Sequence, residues 1–228
     1  YLSTNTRPDI ANAVHQCARF TNNAKALFEE AVKRICRYLK GTQDQGMIVK
    51  PSEEVMINCY VDSDFAGLWG SEDNQDPVCV KSRTGYVLML AGCPLLWVSK
   101  LQMEIALSTM EAEYIALSQA MRDLLPTWAM IQDVIGSLVP SSIDSNVSCL
   151  MHSKVFEDND ATRILAPSPH MTPRSKHIAV KYHFFREKVA SGEVQIRRVD
   201  SSDQKADIFM KGLVQVKFEA LRKSLMGW

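Results

Sequence analysis

The sequence predicts an α/β fold: a mixed five-stranded sheet flanked by helices and preceded by a short helical stub. Three observations carry this. Apolar runs at 55–61, 84–91 and 95–99, joined by short turns, read as an antiparallel meander. A long apolar surface over 108–138, including Ile115, Leu117, Met121, Leu124, Trp128 and Ile131, reads as one buried central helix. Beyond it, strand-like and helix-like segments alternate to the end, which makes the sheet mixed.

Residues 1–50 form the stub. Pro8-Asp9 signals a helix start, and Ile10, Val14 and Cys17 follow on one face. A second helix after Asn22-Asn23 carries Phe28, Val32, Ile35, Cys36 and Leu39 at helical spacing and stops at Gly41. Two amphipathic helices without a sheet are half a domain at best. The main domain therefore takes residues 51–228.

That domain opens with the strand 55–61, which delivers Asp62 to a turn bearing Gly67. An acidic loop over 67–82 separates it from the second strand, and Gly92-Cys-Pro94 turns the chain into the third. Ser108-Thr-Met-Glu111 fits a capping box, in which Glu111 folds back to the helix start. That leaves Glu113 unexplained by capping. Pro126 predicts a kink. A fourth strand over 147–156 ends at Glu157-Asp158-Asn159, followed by a short helix at 159–165 and a proline-marked link. A helix over 174–191, a fifth strand over 193–199, and helices over 203–210 and 214–226 complete the chain.

Composition narrows the function. The 228 residues are 46% hydrophobic and 23% charged, as in ordinary globular proteins. The six cysteines form no C-x-x-C pair and read as reduced, mostly buried thiols in an intracellular setting. No run reaches membrane-span length, and the chain opens at Tyr1 in mid-pattern, as a fragment does. Net charge is zero but unevenly spread. Residues 1–50 carry 8 Lys+Arg against 4 Asp+Glu, 51–169 carry 6 against 16, and 170–228 carry 12 against 6. An acidic centre between basic flanks suits a metal-dependent nuclease, although solvated faces give the same profile.

Four acids stand at comparable edges: Asp62, Glu113, Asp158 and Asp207. Each has a plainer reading. Asp62 or Asp64 can serve a turn, Glu113 the helix dipole, and Asp158 or Asn159 an N-cap. Asp207 can stabilise a short helix, in competition with Asp203. Together, carboxylates from separate elements converging above a sheet form a hard-oxygen site of the kind Mg²⁺ selects. A pair of such ions serves in-line displacement at phosphorus.

Seven segments carry a resemblance. They are Tyr60-Val-Asp-Ser-Asp-Phe-Ala-Gly67, Ser82-Arg-Thr-Gly-Tyr86, the run Ala106–Leu117, Asp158-Asn159, Ser175-Lys-His-Ile178, Tyr182-His-Phe-Phe-Arg-Glu187 and Ala206-Asp-Ile208. In this order, from about residue 55 onward, they resemble the ribonuclease H domain of copia-type LTR-retrotransposon Pol polyproteins. Asn5–Ala11 and Arg37–Thr42 resemble the end of the reverse transcriptase upstream. The resemblance implies a ribonuclease-H-like fold and hydrolysis of the RNA strand of RNA–DNA hybrids during reverse transcription. It also implies a two-ion Mg²⁺ mechanism, with Mn²⁺ able to substitute. Its acids fall on Asp62, Glu113, Asp158 and Asp207, as both catalytic residues and metal ligands. It further implies the rest of the reverse transcriptase as partner, no membrane, and a cytoplasmic virus-like particle or the nucleus as location. Arg174, Lys176, His177 and Lys181 are the expected nucleic-acid contacts. Two departures stand out. The polymerase's paired aspartates are absent, and no histidine lies between Val199 and Asp207, where many cellular ribonucleases H carry one. A catalytically degenerate module that only binds nucleic acid or supports the polymerase is the alternative.

Overall fold

In a computed structural model the structure describes residues 1–22, 26–70, 76–138, 153–167 and 184–228. The stub contains α1 (Leu2–Asn5), α2 (Ala11–Ala18) and α3 (Ala26–Gly41), with a 3₁₀ turn at Pro8–Ile10. The sheet is built from β1 (Ile57–Asp64), β2 (Arg83–Leu90), β3 (Cys93–Leu101), β4 (Ser153–Glu157) and β5 (Val194–Arg198). The helices of the main domain are α4 (Thr109–Leu138), α5 (Asp160–Leu165), α6 (Arg186–Ala190) and α7 (Gln215–Met226), with a further 3₁₀ turn at Lys205–Phe209.

Strand order is β3-β2-β1-β4-β5. The first three strands pair antiparallel, β1 and β2 joined by a long loop and β2 and β3 by a tight turn, whereas β4 lies parallel to β1 and β5 parallel to β4. The expected mixed five-stranded α/β sheet is therefore present. Its two faces carry separate cores. On one, Cys59, Val61, Leu88 and Val155 pack under α4 through Tyr114, Ile115, Leu117 and Met121. On the other, Val87, Met89 and Trp97 meet Phe209, Leu221, Leu225 and Met226. Alternation along each strand assigns side chains to one core or the other.

The strands differ from expectation at their ends. β1 runs on to Asp64, so Asp62 lies inside the strand and not beyond it, and alternation puts Asp62 and Asp64 on one face. The ladder to β2 supplies the reason: its pairing continues through Asp62↔Gly85 to Asp64↔Arg83. In the fourth strand only 153–157 falls within the described residues. α4 runs without interruption through Pro126. The 3₁₀ turn replaces the helix expected over 203–210, and its N-cap is Gln204, whose side chain accepts the Ala206 N–H, and not Asp203.

The stub packs on the sheet. Trp97 Nε1 donates to the Ser3 carbonyl at 2.7 Å, and Asn12 donates to the Phe209 carbonyl at 2.9 Å. Trp97 is thus a packing residue. Arg7 forks onto buried Asp9 at 3.0 and 2.7 Å, and the Tyr38 hydroxyl donates to the same carboxylate at 2.6 Å. Arg222 of α7 donates in turn to the Tyr38 hydroxyl. A bidentate, buried pair of this kind fixes orientation as well as energy. The five cysteines among the described residues are free, and only two of them, Cys59 and Cys79, are buried, fewer than the sequence suggests. No helix among the described residues is long and apolar enough to cross a membrane.

Candidate active site

Parallel pairing of β1 with β4 decides where the acids meet. The register pairs Tyr60 with Phe156, so Asp62 and Asp158 leave neighbouring strands side by side at the same end of the sheet. Glu113 reaches them from the second turn of α4. Its neighbour Glu111 is occupied at the helix start: the Glu111 N–H donates to Ser108 Oγ, and Glu111 Oε2 accepts the Leu107 N–H. The reciprocal bond thus falls one residue earlier than a standard capping box, and capping leaves Glu113 free. Asn159 caps α5 by accepting the Thr162 N–H, which leaves Asp158 free in the same way.

Carboxylate oxygens of Asp62, Glu113 and Asp158 lie within 4.8 Å of one another. Asp62 and Glu113 are buried, and Asp158 is half-buried. Burial foremost, then the charges of Asp158 and Asp207, push the Asp62 carboxyl up to about 8. Burial followed by repulsion from Glu157 and Asp62 raises Glu113 well above the usual carboxylate range. Glu113 Oε2 is buried without a hydrogen-bond partner. Crowded, dehydrated acids with an orphan oxygen are a poor arrangement for packing and a good one for a hard cation. The residues present therefore fit divalent ions.

Asp207 is the fourth acid and sits differently. The 3₁₀ turn brings its carboxyl within hydrogen-bonding reach of Asp62, yet both its oxygens are ion-paired, one to Lys211 at 2.8 Å and the other to Lys217 of α7. Burial raises its pKa, but the two lysines outweigh burial, and the carboxyl lies below its ordinary value. The structure thus gathers three of the expected acids into one cluster and holds the fourth beside it in an ion-pair network. Arg174, Lys176, His177 and Lys181 lie outside the described residues.

Sequence reasoning passed over three contributors. Gln204 is wholly buried and donates from Nε2 to the Val61 carbonyl at 2.9 Å, tying the Asp207 turn to β1 one residue before Asp62. Ser201 donates to Asp158 Oδ2 at 3.2 Å. Glu157 is wholly buried on the α4 side of β4. Alternation of Ser153, Val155 and Glu157 was the available signal for it.

The chain matches no protein-family model. It is 33% identical over 221 residues to the retrovirus-related Pol polyprotein from transposon RE2 of Arabidopsis thaliana, covering 96% of this chain and 14% of that protein. The Pol polyprotein from transposon TNT 1-94 of Nicotiana tabacum is 34% identical over 230 residues, covering 100% of this chain and 15% of that one. Among solved structures, the N-terminal ribonuclease H domain of Rv2228c from Mycobacterium tuberculosis aligns over 75% of this chain and 98% of its own. Its identity is 14% and its TM-score 0.41, too remote to bear an argument. The chain spans about one seventh of the length of the Pol relatives it matches. Over nearly its whole length the chain is thus homologous to copia-type retrotransposon Pol polyproteins, with a mixed five-stranded α/β sheet of order β3-β2-β1-β4-β5 beneath that similarity.

Proposed function

We propose that this chain is a divalent-metal-dependent endoribonuclease that hydrolyses the RNA strand of RNA–DNA hybrids during retrotransposon reverse transcription. The observation that carries the reading is the convergence of Asp62, Glu113 and Asp158, from three different elements, to within 4.8 Å. Residues 1–50 are read as the end of the reverse transcriptase and 51–228 as the nuclease.

Asp62 and Asp158 would hold the ions jointly, with Glu113 on the side of the leaving group and the RNA, and Asp207 on the side of the attacking water. When bound, Mg²⁺ (or Mn²⁺) would lower the pKa of water and neutralise charge on the transferred phosphoryl group. The chain's own task is preorganisation. Ladder pairing, the Ser108 cap and the Asn159 cap fix three carboxylates in place before substrate arrives, so little reorganisation is needed in the transition state. Lys211 and Lys217 hold Asp207 ionised beside them. Choice of RNA over DNA would rest on contacts to the 2′-hydroxyl.

The test is cleavage of a labelled RNA–DNA hybrid with and without Mg²⁺, beside the Asp62→Asn protein. Hydrolysis that needs Mg²⁺ and vanishes in Asp62→Asn is the expected result. Wild-type-like cleavage by the variant refutes the assignment.

A second reading is favoured by one observation, the pairing of both Asp207 oxygens to lysine ammoniums. If those cations stand where an ion is needed, the module binds hybrid without cutting it. Salt-sensitive hybrid binding with no Mg²⁺-dependent cleavage is then the outcome.

A further inference from the structure

We propose that Glu157 is a positioning residue of this site, clamping Asp158 from beneath and adding a buried carboxyl that strengthens divalent-ion binding. This rests on the reading of the three-acid cluster as an ion site.

Glu157 is fully inaccessible to solvent, on the side of β4 that faces α4, while its neighbour Phe156 stacks on Tyr60 across the sheet. Its two oxygens do different things. Oε1 accepts the Asn159 N–H at 3.1 Å. That bond spans Asp158 and fixes the backbone on which Asp158 is presented. Asn159 caps α5 immediately beyond, so the Asp158 peptide is held from both sides.

Oε2 has no partner, and neither has Glu113 Oε2. Among the charges around Glu113, Glu157 repels it most strongly, ahead of Asp62. Two buried carboxylate oxygens without hydrogen-bond partners are unfavourable, and packing does not call for them. An apolar side chain, like Val155 two residues earlier on the same face, would fill the space. An acid there makes sense when cations occupy the cluster above it, because groups supporting metal ligands hold them in register and raise their affinity.

The experiment is thermal denaturation of the whole chain in EDTA and across a MgCl₂ titration, for wild type, Glu157→Gln and Glu157→Val. Glu157→Gln keeps the Oε1 acceptor and offers an N–H₂ donor to Glu113 Oε2. Glu157→Val removes the charge and the clamp together. Both variants are expected to melt higher than wild type in EDTA. Both should need about tenfold more Mg²⁺ for half their thermal shift. If both variants match wild type in EDTA and in half-saturating Mg²⁺, the inference is overturned while the ion site stands. A wild-type protein whose melting ignores Mg²⁺ overturns the ion-site reading and this inference with it.

Discussion

Gly85 stands directly across the antiparallel ladder from Asp62. A Cβ on Gly85 would come within 2.6 Å of Met210 Cγ and 3.0 Å of both the Ala206 carbonyl oxygen and Phe209 Cβ. The 3₁₀ turn that carries Asp207 therefore presses onto the sheet at the one ladder position that has no side chain to resist it. This close approach puts Asp207 beside Asp62.

Gly85→Ala is accordingly expected to destabilise the fold by about 1–3 kcal/mol through overpacking. It should also move Asp207 away from Asp62 and reduce Mg²⁺-dependent cleavage. Denaturant unfolding beside hybrid hydrolysis checks both effects. A variant as stable as wild type means that Met210 and the turn yield freely, and the packing argument fails.

The pH dependence of the metal-free protein follows from the raised acids. Asp62 titrates near 8 in the fold, against about 3.9 in an unfolded chain. Its protonated form is favoured in the native state. That contribution is complete below the unfolded value and is lost as pH rises through about 8. Glu113 and Glu157 are shifted in the same direction, each chiefly by burial. Asp207 has the opposite sign, with stability lost as pH falls, but below the ordinary carboxylate range. Between pH 5 and 8 the raised acids act together, so melting temperature in EDTA should fall across that window. Mg²⁺ should restore more at pH 8 than at pH 5, because protons compete for the same oxygens. A melting temperature that is flat or rising in EDTA contradicts the burial of these charges.

Lys217 separates the two functional readings. It reaches Asp207 from α7 and is itself partly solvated, so its loss should lower stability by only roughly 1 kcal/mol. If the site is an active nuclease, Lys217→Ala frees one Asp207 oxygen and lowers the Mg²⁺ concentration needed for half-maximal cleavage. A protein inert before and after the substitution, at every Mg²⁺ concentration, belongs to the binding-only reading.

Sequence patterning alone determined the order of the strands, the mixed sheet and the choice of four acids to follow, because period-2 and period-3.6 burial and the capping preferences are local properties. It also separated Glu111 from Glu113, since one acid is spent at the helix start and the other is not. What it could not contain is adjacency. The parallel register that sets Asp62 beside Asp158, the lysines on Asp207, the Gln204 tie to Val61 and the orphaned Glu157 all depend on segments remote in the chain. Tertiary packing decided these, for a physical reason: alternation tells a side chain which face it occupies, and only the folded sheet tells it which charges it must live beside.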